Sequence, residues 1–492
     1  MTTKLSLADL TDLPPDVIGP NYHRSHLTAG ILHFGVGNFH RAHQAVYLDD
    51  LFNAGIDHDW ALVGAGVFEG ERAGREKLAG QDFLTTVVEQ DDGHMQARVT
   101  GAMLDFLEPG DSAAIIRRLA DPTIRIVSLT ITEGGYFIDP ASGKFNPEHP
   151  AIVADATDID RPSTVFGIIL AGLKRRREAG TPAFTIMSCD NIPHNGHVTA
   201  DAIIGLARIA DDGLADWVRE NVAFPNGMVD RITPATTDRE RAILAEKFGV
   251  DDAWPVFCEP FRQWVLEDNF PAGRPALEKA GVQFVADVSP FELMKIRILN
   301  GGHATIAYPA GLMDIHFVHE AMQEPLVRAF LAKLEREEII PTVPPVPGVV
   351  LEEYFELIER RFSNPKIGDT VRRLCLDGSN RQPKFIIPTI AERLKDGAGI
   401  EGLALESALW CRYCFGTTES GAEIAPNDPN WDRLLTASRA ARADPAAWLA
   451  MEDIYGEVGR SEIFAAAFAD ALKMLWRDGT RETLGRYLGR TL

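Results

Sequence analysis

Up to about residue 287, short apolar runs alternate with stretches whose apolar positions recur every three or four residues. The runs are "GILHF", "WALVGAGV", "IRIVSLTIT", "PAFTIMSC" and "VQFVADV". Apolar runs of this length between helical patterns are what strands look like when both faces of a parallel sheet are covered. From "SPFELMKIRILNGGHATIAY" onward the pattern is mostly helical, as in "PLVRAFLAKLEREEII" and "SEIFAAAFADALKMLW", where Phe464, Phe468, Leu472 and Leu475 form one apolar stripe. The Pro-rich "PTVPPVPG" reads as a connector within that half. Neither internal repeats nor low-complexity segments interrupt the pattern. The expected architecture is a doubly wound α/β domain over residues 1–287, followed by a mainly α-helical domain over 288–492.

Composition narrows the function classes. The chain has 492 residues, 45% of them hydrophobic, enough for large cores in two domains. Its 49 Lys and Arg stand against 71 Asp and Glu, a formal charge of −22 that would repel phosphate backbones and anionic lipid headgroups. Neither nucleic acid nor a membrane surface is therefore expected as a partner. "MTTKLSLADLTDLPPDV" lacks the basic flank and apolar run of a signal peptide, and no later run approaches bilayer length, so the expectation is a cytoplasmic protein. Cys189, Cys258, Cys375, Cys411 and Cys414 are too scattered for a disulfide framework. "WCRYC" lies in a helical apolar pattern without a second cysteine pair or a neighbouring His, so Cys411 and Cys414 read as small core residues rather than a metal or redox site.

Within the first strand-helix unit, "HFGVGNFHRAH" carries a dinucleotide fingerprint with its third glycine replaced. Ile31 to Phe34 is a short apolar strand, and Ala45, Leu48 and Phe52 have helical spacing before Gly55. In that Rossmann-type context Gly35 and Gly37 would form the tight turn and let the backbone approach a pyrophosphate at a helix N-terminus, with Arg41 nearby. His40 displaces only the glycine that normally packs helix against strand. Gly35, Val36, Gly37, Asn38, Phe39, His40 and Arg41 are the candidate cofactor contacts. If the cofactor is NAD, an acid past the second strand should meet the adenosine ribose, and Glu69 and Glu71 in "VFEGERAGR" are the candidates. Arg72 and Arg75 follow and suit the extra phosphate of NADP, so the preference for NAD rests on the acids.

An alcohol that loses hydride must also lose a proton. No tyrosine has Lys four residues later, and no His or Cys cluster shows zinc-ligand spacing; His194 and His197 in "CDNIPHNGH" read as polar loop residues. The remaining constellation is "FELMKIRILNGGH". At roughly 100° per residue, Glu292, Lys295, Asn300 and His303 fall within about 140° of arc on one helical face. A desolvated lysine there could act as general base, Asn300 could donate to the oxygen that gains charge, His303 could orient it, and Glu292 could pass the proton to solvent. The alternative is an ordinary surface face with a Glu–Lys pair at i, i+3. Gly301 and Gly302 count against it, because two glycines inside a helix suggest close approach of another backbone or a ligand. Asp190 and Asn191 end the strand "PAFTIMSC", where open α/β sheets place ligands, and Asn191 could be a second donor to the same oxygen.

"GVGNFHRAH", "SLTITEGGY", "MSCDNIPHNG", "FPNGMVDRITP", "FCEPFRQWVLED" and "MKIRILNGGH" occur in the order seen in the polyol-specific long-chain dehydrogenases, and the chain resembles that family from about residue 28 onward. The resemblance implies metal-independent interconversion of D-mannitol and D-fructose with NAD by a monomer. It implies Lys295 as the catalytic base, Asn191 and Asn300 as the pair binding the reactive oxygen, His303 as a substrate-orienting residue and Glu292 as a proton relay. Asp230 in "MVDRI" resembles the family's substrate-pocket aspartate, and His at the third glycine position is itself a family mark. "RLCLDGSNRQPKF" resembles an element whose basic residues reach the polyol; Arg373 matches, whereas Arg381 stands where members acting on mannitol are expected to have Lys. Three alternatives stay open: a fructuronate or tagaturonate reductase using Arg372, Arg373, Arg381 and Lys384 for a carboxylate, a D-arabinitol or sorbitol dehydrogenase, and a non-catalytic NAD-binding protein.

Overall fold

The computed structural model describes residues 2–139 and 143–490, which form two compact units, Met1–Ser289 and Pro290–Leu492. The first is built on five parallel strands: β1 (Ala29–Phe34), β2 (Ala61–Ala65), β3 (Met103–Phe106), β4 (Ile126–Leu129) and β5 (Thr185–Ser188). Their order is β3-β2-β1-β4-β5. Every residue of β1, β2, β4 and β5 is buried, as continuous apolar runs demand. The period of two sorts them into two cores. Leu32, Phe34, Val63, Val127, Leu129 and Ile186 face the helical residues Ile115, Ile116, Ile168 and Ile169, while Ile31, Leu62, Ile126 and Met187 face Leu48, Leu51 and Phe52. The chain order reverses between β1 and β4, so the carboxyl ends Phe34 and Leu129 mark the switch point where such sheets bind ligands.

The expected doubly wound sheet and helical second half are both present, with three departures. "VQFVADV" does form a strand, Gln283–Val285, but it is half-buried and pairs in parallel with Gln263–Glu267 in a separate three-stranded sheet that includes Gly227–Asp230. The edge strand β3 takes its place in the main sheet, and its two central residues are only half-buried. The hairpin Thr85–Asp91 and His94–Thr100 lies outside the apolar runs, and its signal is instead Asp92–Gly93 at the turn, with Gly93 at φ +97°. Finally, the first helix is two: α1 (Asn38–Ala42) and α2 (Gln44–Asn53) meet at His43, whose φ of −120° and ψ of −88° break the ladder.

In the second unit, Phe464, Phe468, Leu472 and Leu475 are buried as their stripe predicts. Their helix, Glu462–Tyr487, kinks at Gly479 (φ +82°), where Glu419 accepts the Thr480 amide. Cys411 and Cys414 are buried and burial pushes both thiols up, the behaviour of core residues. Among the described residues no helix is long and apolar enough to cross a membrane.

Candidate active site

The two glycines of the first turn have different physical reasons. Gly35 has φ +91°, and a side chain there would run into the carbonyl of Thr130, the residue just past β4, which lies beside β1. Gly37 meets nothing closer than 3.8 Å, so protein packing does not require it. It caps α1 without a side-chain hydrogen bond, leaving the first amides of that helix for an outside acceptor. An anionic cofactor group fits that space.

Behind the turn, the His40 ring stacks on the His33 ring of β1 at 3.5 Å and 12°. The third-glycine position thus still packs helix against strand, through imidazole rather than hydrogen. His33 is bonded through Nδ1 to Ser128 Oγ at 2.8 Å and through Nε2 to Thr130 Oγ1 at 3.0 Å. Burial pushes His33 and His43 down to about 3 and His40 well below the ordinary 6.5. All three are neutral, so their contribution to stability is complete above pH 6.5 and is lost as pH falls from there toward 3. Replacing His40 with Phe should flatten the fall in melting temperature between about pH 6.5 and 4; an unchanged slope would show that His40 is not one of the groups responsible.

Arg41 is buried beside the turn and reaches back to its Asn38. Its buried guanidinium lies 3.9 Å over the Trp254 ring and bonds to the Trp254 carbonyl and to Asn38 Oδ1, the latter at 2.7 Å. These partners hold the guanidinium beside the first helical residue of the turn. The acids past β2 also divide. Glu71 Oε2 accepts the amides of Val67 and Phe68 at 2.8 and 2.9 Å and so shapes the loop itself. Glu69 is exposed and paired with Arg72 at 2.6 Å. Arg72 and Arg75 both also contact Glu108, which neutralises the cations that would favour a 2′-phosphate.

At the end of β5, Asp190 accepts the amides of Ile131 and Thr132 at 2.9 Å and the Tyr136 hydroxyl at 2.6 Å. It holds Thr132 at φ +65° and leaves Asn191 exposed at the next position. The buried Asn195 exchanges hydrogen bonds with Gly227 at 2.8 and 2.9 Å, joining this loop to the strand that ends in the buried Asp230. His194 and His197 are both exposed, but only His194 is a loop residue: it caps the helix Asn195–Ala210, whose first turn carries His197, so the loop expectation is corrected for His197.

In the second unit, Glu292 and Lys295 are each 7% exposed, which removes the surface-face alternative. Their helix is not uniform. Ser289–Met294 is α-helical, Lys295–Asn300 is a π turn, and Gly301–Leu312 is α-helical again. In an α-helix, residues five apart lie about 140° apart around the axis. The i to i+5 bonding of a π turn brings them much closer to alignment, so Lys295 and Asn300 share a face more closely than a regular helix allows. The close approach signalled by the glycine pair is to a side chain: a Cβ on Gly302 would stand 3.2 Å from Glu335 Oε1 and 3.4 Å from the Phe362 ring.

His303 stacks on Phe362 at 4.1 Å and 16°. Burial, then Arg373, Arg361 and Arg381, hold its imidazole well below the usual range, so it is neutral and ringed by cations. Arg373 is clasped by Asp369, and Arg381 donates to the Leu374 and Arg373 carbonyls at 3.1 and 3.4 Å. Arg361 and Phe362 carried no motif signal in the sequence. The second unit thus gathers Glu292, Lys295, Asn300 and His303 on one helix, with Arg373 and Arg381 facing His303. The first unit presents the Gly35–Gly37 turn, Asn191 and Asp230 on its own loops.

Comparison with known proteins covers nearly the whole chain. Residues 29–279 match the model of the mannitol dehydrogenase Rossmann domain, and 287–476 that of the mannitol dehydrogenase C-terminal domain. A mannitol 2-dehydrogenase of Cereibacter sphaeroides is 60% identical over 473 residues, 96% of this chain and 99% of that one. One of Phaeosphaeria nodorum is 40% identical over 99% of this chain and 86% of its own. Among solved structures, Pseudomonas fluorescens mannitol 2-dehydrogenase in ternary complex with NAD and D-mannitol superposes with a TM-score of 0.88 at 45% identity, covering 99% of this chain and 100% of that one. A substrate-free D-sorbitol dehydrogenase gives 0.91 at 36% identity, covering 98% and 100%.

Proposed function

The chain belongs to the mannitol dehydrogenase family, and from that premise we propose that it is an NAD-dependent polyol dehydrogenase that interconverts D-mannitol and D-fructose, with Lys295 as general base and no metal ion. The observation that carries this reading is the buried Lys295 on a π turn that aligns it with Asn300, one turn before a neutral His303. Burial is the condition under which a lysine serves as base, because desolvation disfavours the ammonium.

NAD, when bound, would supply the hydride acceptor; the turn from Gly35 to Arg41 would hold its pyrophosphate and Glu69 or Glu71 its adenosine ribose. Lys295 Nζ takes the proton of the C2 hydroxyl. The amides of Asn191 and Asn300 donate to that oxygen as it gains charge, which favours the transition state over the ground state. His303 orients the oxygen, and the buried Glu292 passes the lysine's proton onward. Asp230, Arg373 and Arg381 bind the remaining hydroxyls. With a side-chain base the reaction needs no metal. The two-domain organisation proposed is a dinucleotide-binding domain over 1–287 and a substrate domain over 288–492, acting as a monomer.

The cations around His303 favour a second reading, an acidic sugar such as fructuronate. Asp369 already neutralises Arg373, which weakens it. A panel of mannitol, arabinitol, sorbitol and fructuronate with NAD and NADP separates the readings. Mannitol with NAD should give the highest kcat/KM, and dialysis against EDTA should leave the rate within about twofold. A preference for fructuronate, or loss of activity on chelation, would reverse the corresponding part of the proposal.

A further inference from the structure

Gln382 follows Arg381 on the helix Gly378–Phe385 and is 1% exposed. Its amide nitrogen donates to Glu406 Oε1 at 2.6 Å, and the same side chain faces the Tyr308 hydroxyl. Glu406 is fully buried in the helix Glu401–Tyr413, and Tyr308 lies on Gly301–Leu312, five residues beyond His303. One amide therefore ties the helix bearing Arg381 to the helix bearing His303. The joint is tight at its other end as well, where a side chain on Gly378 would stand 2.6 Å from the Trp410 indole nitrogen and 2.9 Å from the Tyr308 hydroxyl.

We propose that Gln382 and Glu406 are positioning residues for the polyol: the buried pair sets how far the Arg381 guanidinium stands from the His303 imidazole, and so how firmly the substrate hydroxyls are held. The inference rests on the reading of Arg381 and His303 as substrate contacts. Gln382 Oε1 and Glu406 Oε2 have no hydrogen-bond partner, so the Gln382–Glu406 bond, with the Tyr308 hydroxyl beside it, is what fixes both groups.

The pair also carries a pH dependence. Burial pushes the Glu406 carboxyl up to about 8, partly opposed by the hydrogen bond from Gln382. Tyr308 and Tyr455 face it from neighbouring elements, and Cys411 lies further along its own helix; burial raises all three, which keeps them neutral. The buried faces of Pro325–Leu334, Trp431–Ala441 and Glu462–Tyr487, which pack on this helix, hold no titratable group. With no cation facing it among the described residues, ionised Glu406 is an uncompensated buried charge, and the joint loosens as pH rises past about 8.

Glu406→Leu should raise the polyol KM about tenfold while leaving the NAD KM and kcat within about twofold. Glu406→Gln keeps the hydrogen bond but cannot ionise. It should restore the polyol KM at neutral pH and abolish the rise in polyol KM that the wild type shows between about pH 7 and 9. An acid whose folded value lies above its ordinary 4.5 loses stability as pH rises toward about 8, so Glu406→Gln should melt increasingly above the wild type over that window. A polyol KM unchanged in Glu406→Leu overturns the positioning role, and identical pH profiles for Glu406→Gln and wild type overturn the ionisation. Crystal structures of the wild type and Glu406→Leu read the Arg381–His303 separation directly. An unchanged separation defeats the proposal whatever the substrate, whereas a changed separation with no polyol oxidation defeats only the substrate assignment.

Discussion

Replacing Lys295 with alanine is expected to lower kcat for polyol oxidation by about 100-fold or more, the scale of general base catalysis, with a much smaller change in polyol KM. The split follows from position. Lys295 acts on the hydroxyl that reacts, while Asp230, Arg373 and Arg381 bind the others. Small primary amines added to the variant should recover part of the lost rate, because the cavity left by the side chain admits a soluble base. A variant that turns over near the wild-type rate would remove Lys295 from the mechanism and leave the neutral His303 as the base to test.

The second large effect separates the two glycines of the cofactor turn. Gly35→Ala should destabilise the first unit by about 4 kcal/mol, combining a left-handed backbone with a Cβ that overlaps the Thr130 carbonyl. That is a large share of the roughly 5–15 kcal/mol that holds a domain together. Thermal unfolding should show it without any ligand. Gly37→Ala should melt like the wild type, since its Cβ would meet nothing within 3.8 Å, yet weaken NAD binding by about tenfold or more in a calorimetric titration. Tight NAD binding by Gly37→Ala would mean that the pyrophosphate does not approach this turn.

This contrast also shows what the sequence made legible. The strands β1, β2, β4 and β5 are buried on both faces, so their apolar runs announce them without ambiguity. Composition identified Gln283–Val285 as a strand but carried no information about which sheet it would join. The Lys295, Asn300 and His303 arrangement was legible as a motif, but "KIRILN" carries no signature of a π turn, so its angular spacing was read from the wrong helix. Proximity in sequence puts Arg41 beside the turn but does not report its other partner. Trp254, 213 positions away, decides where its guanidinium goes, and no local pattern reports such a partner. Glu71 has a local partner too: an acid after a strand can serve its own loop amides as readily as a ribose, and no sequence pattern reports it.

The π turn at Lys295–Asn300 implies an asymmetry in how this protein can change over evolutionary time. Point substitutions on the helix leave the phase between Lys295 and His303 intact, so the site can drift among polyols while its proton chemistry persists. Losing one residue within 295–300 would restore a regular helix in nearly the same phase, since four α steps turn through about as much as five π steps, whereas gaining one or losing two would rotate everything downstream by about 100° relative to Lys295. Length changes other than that single loss should therefore be rarer among active relatives than substitutions, and a chain designed to borrow this chemistry must preserve the phase of the helix before it preserves the residues.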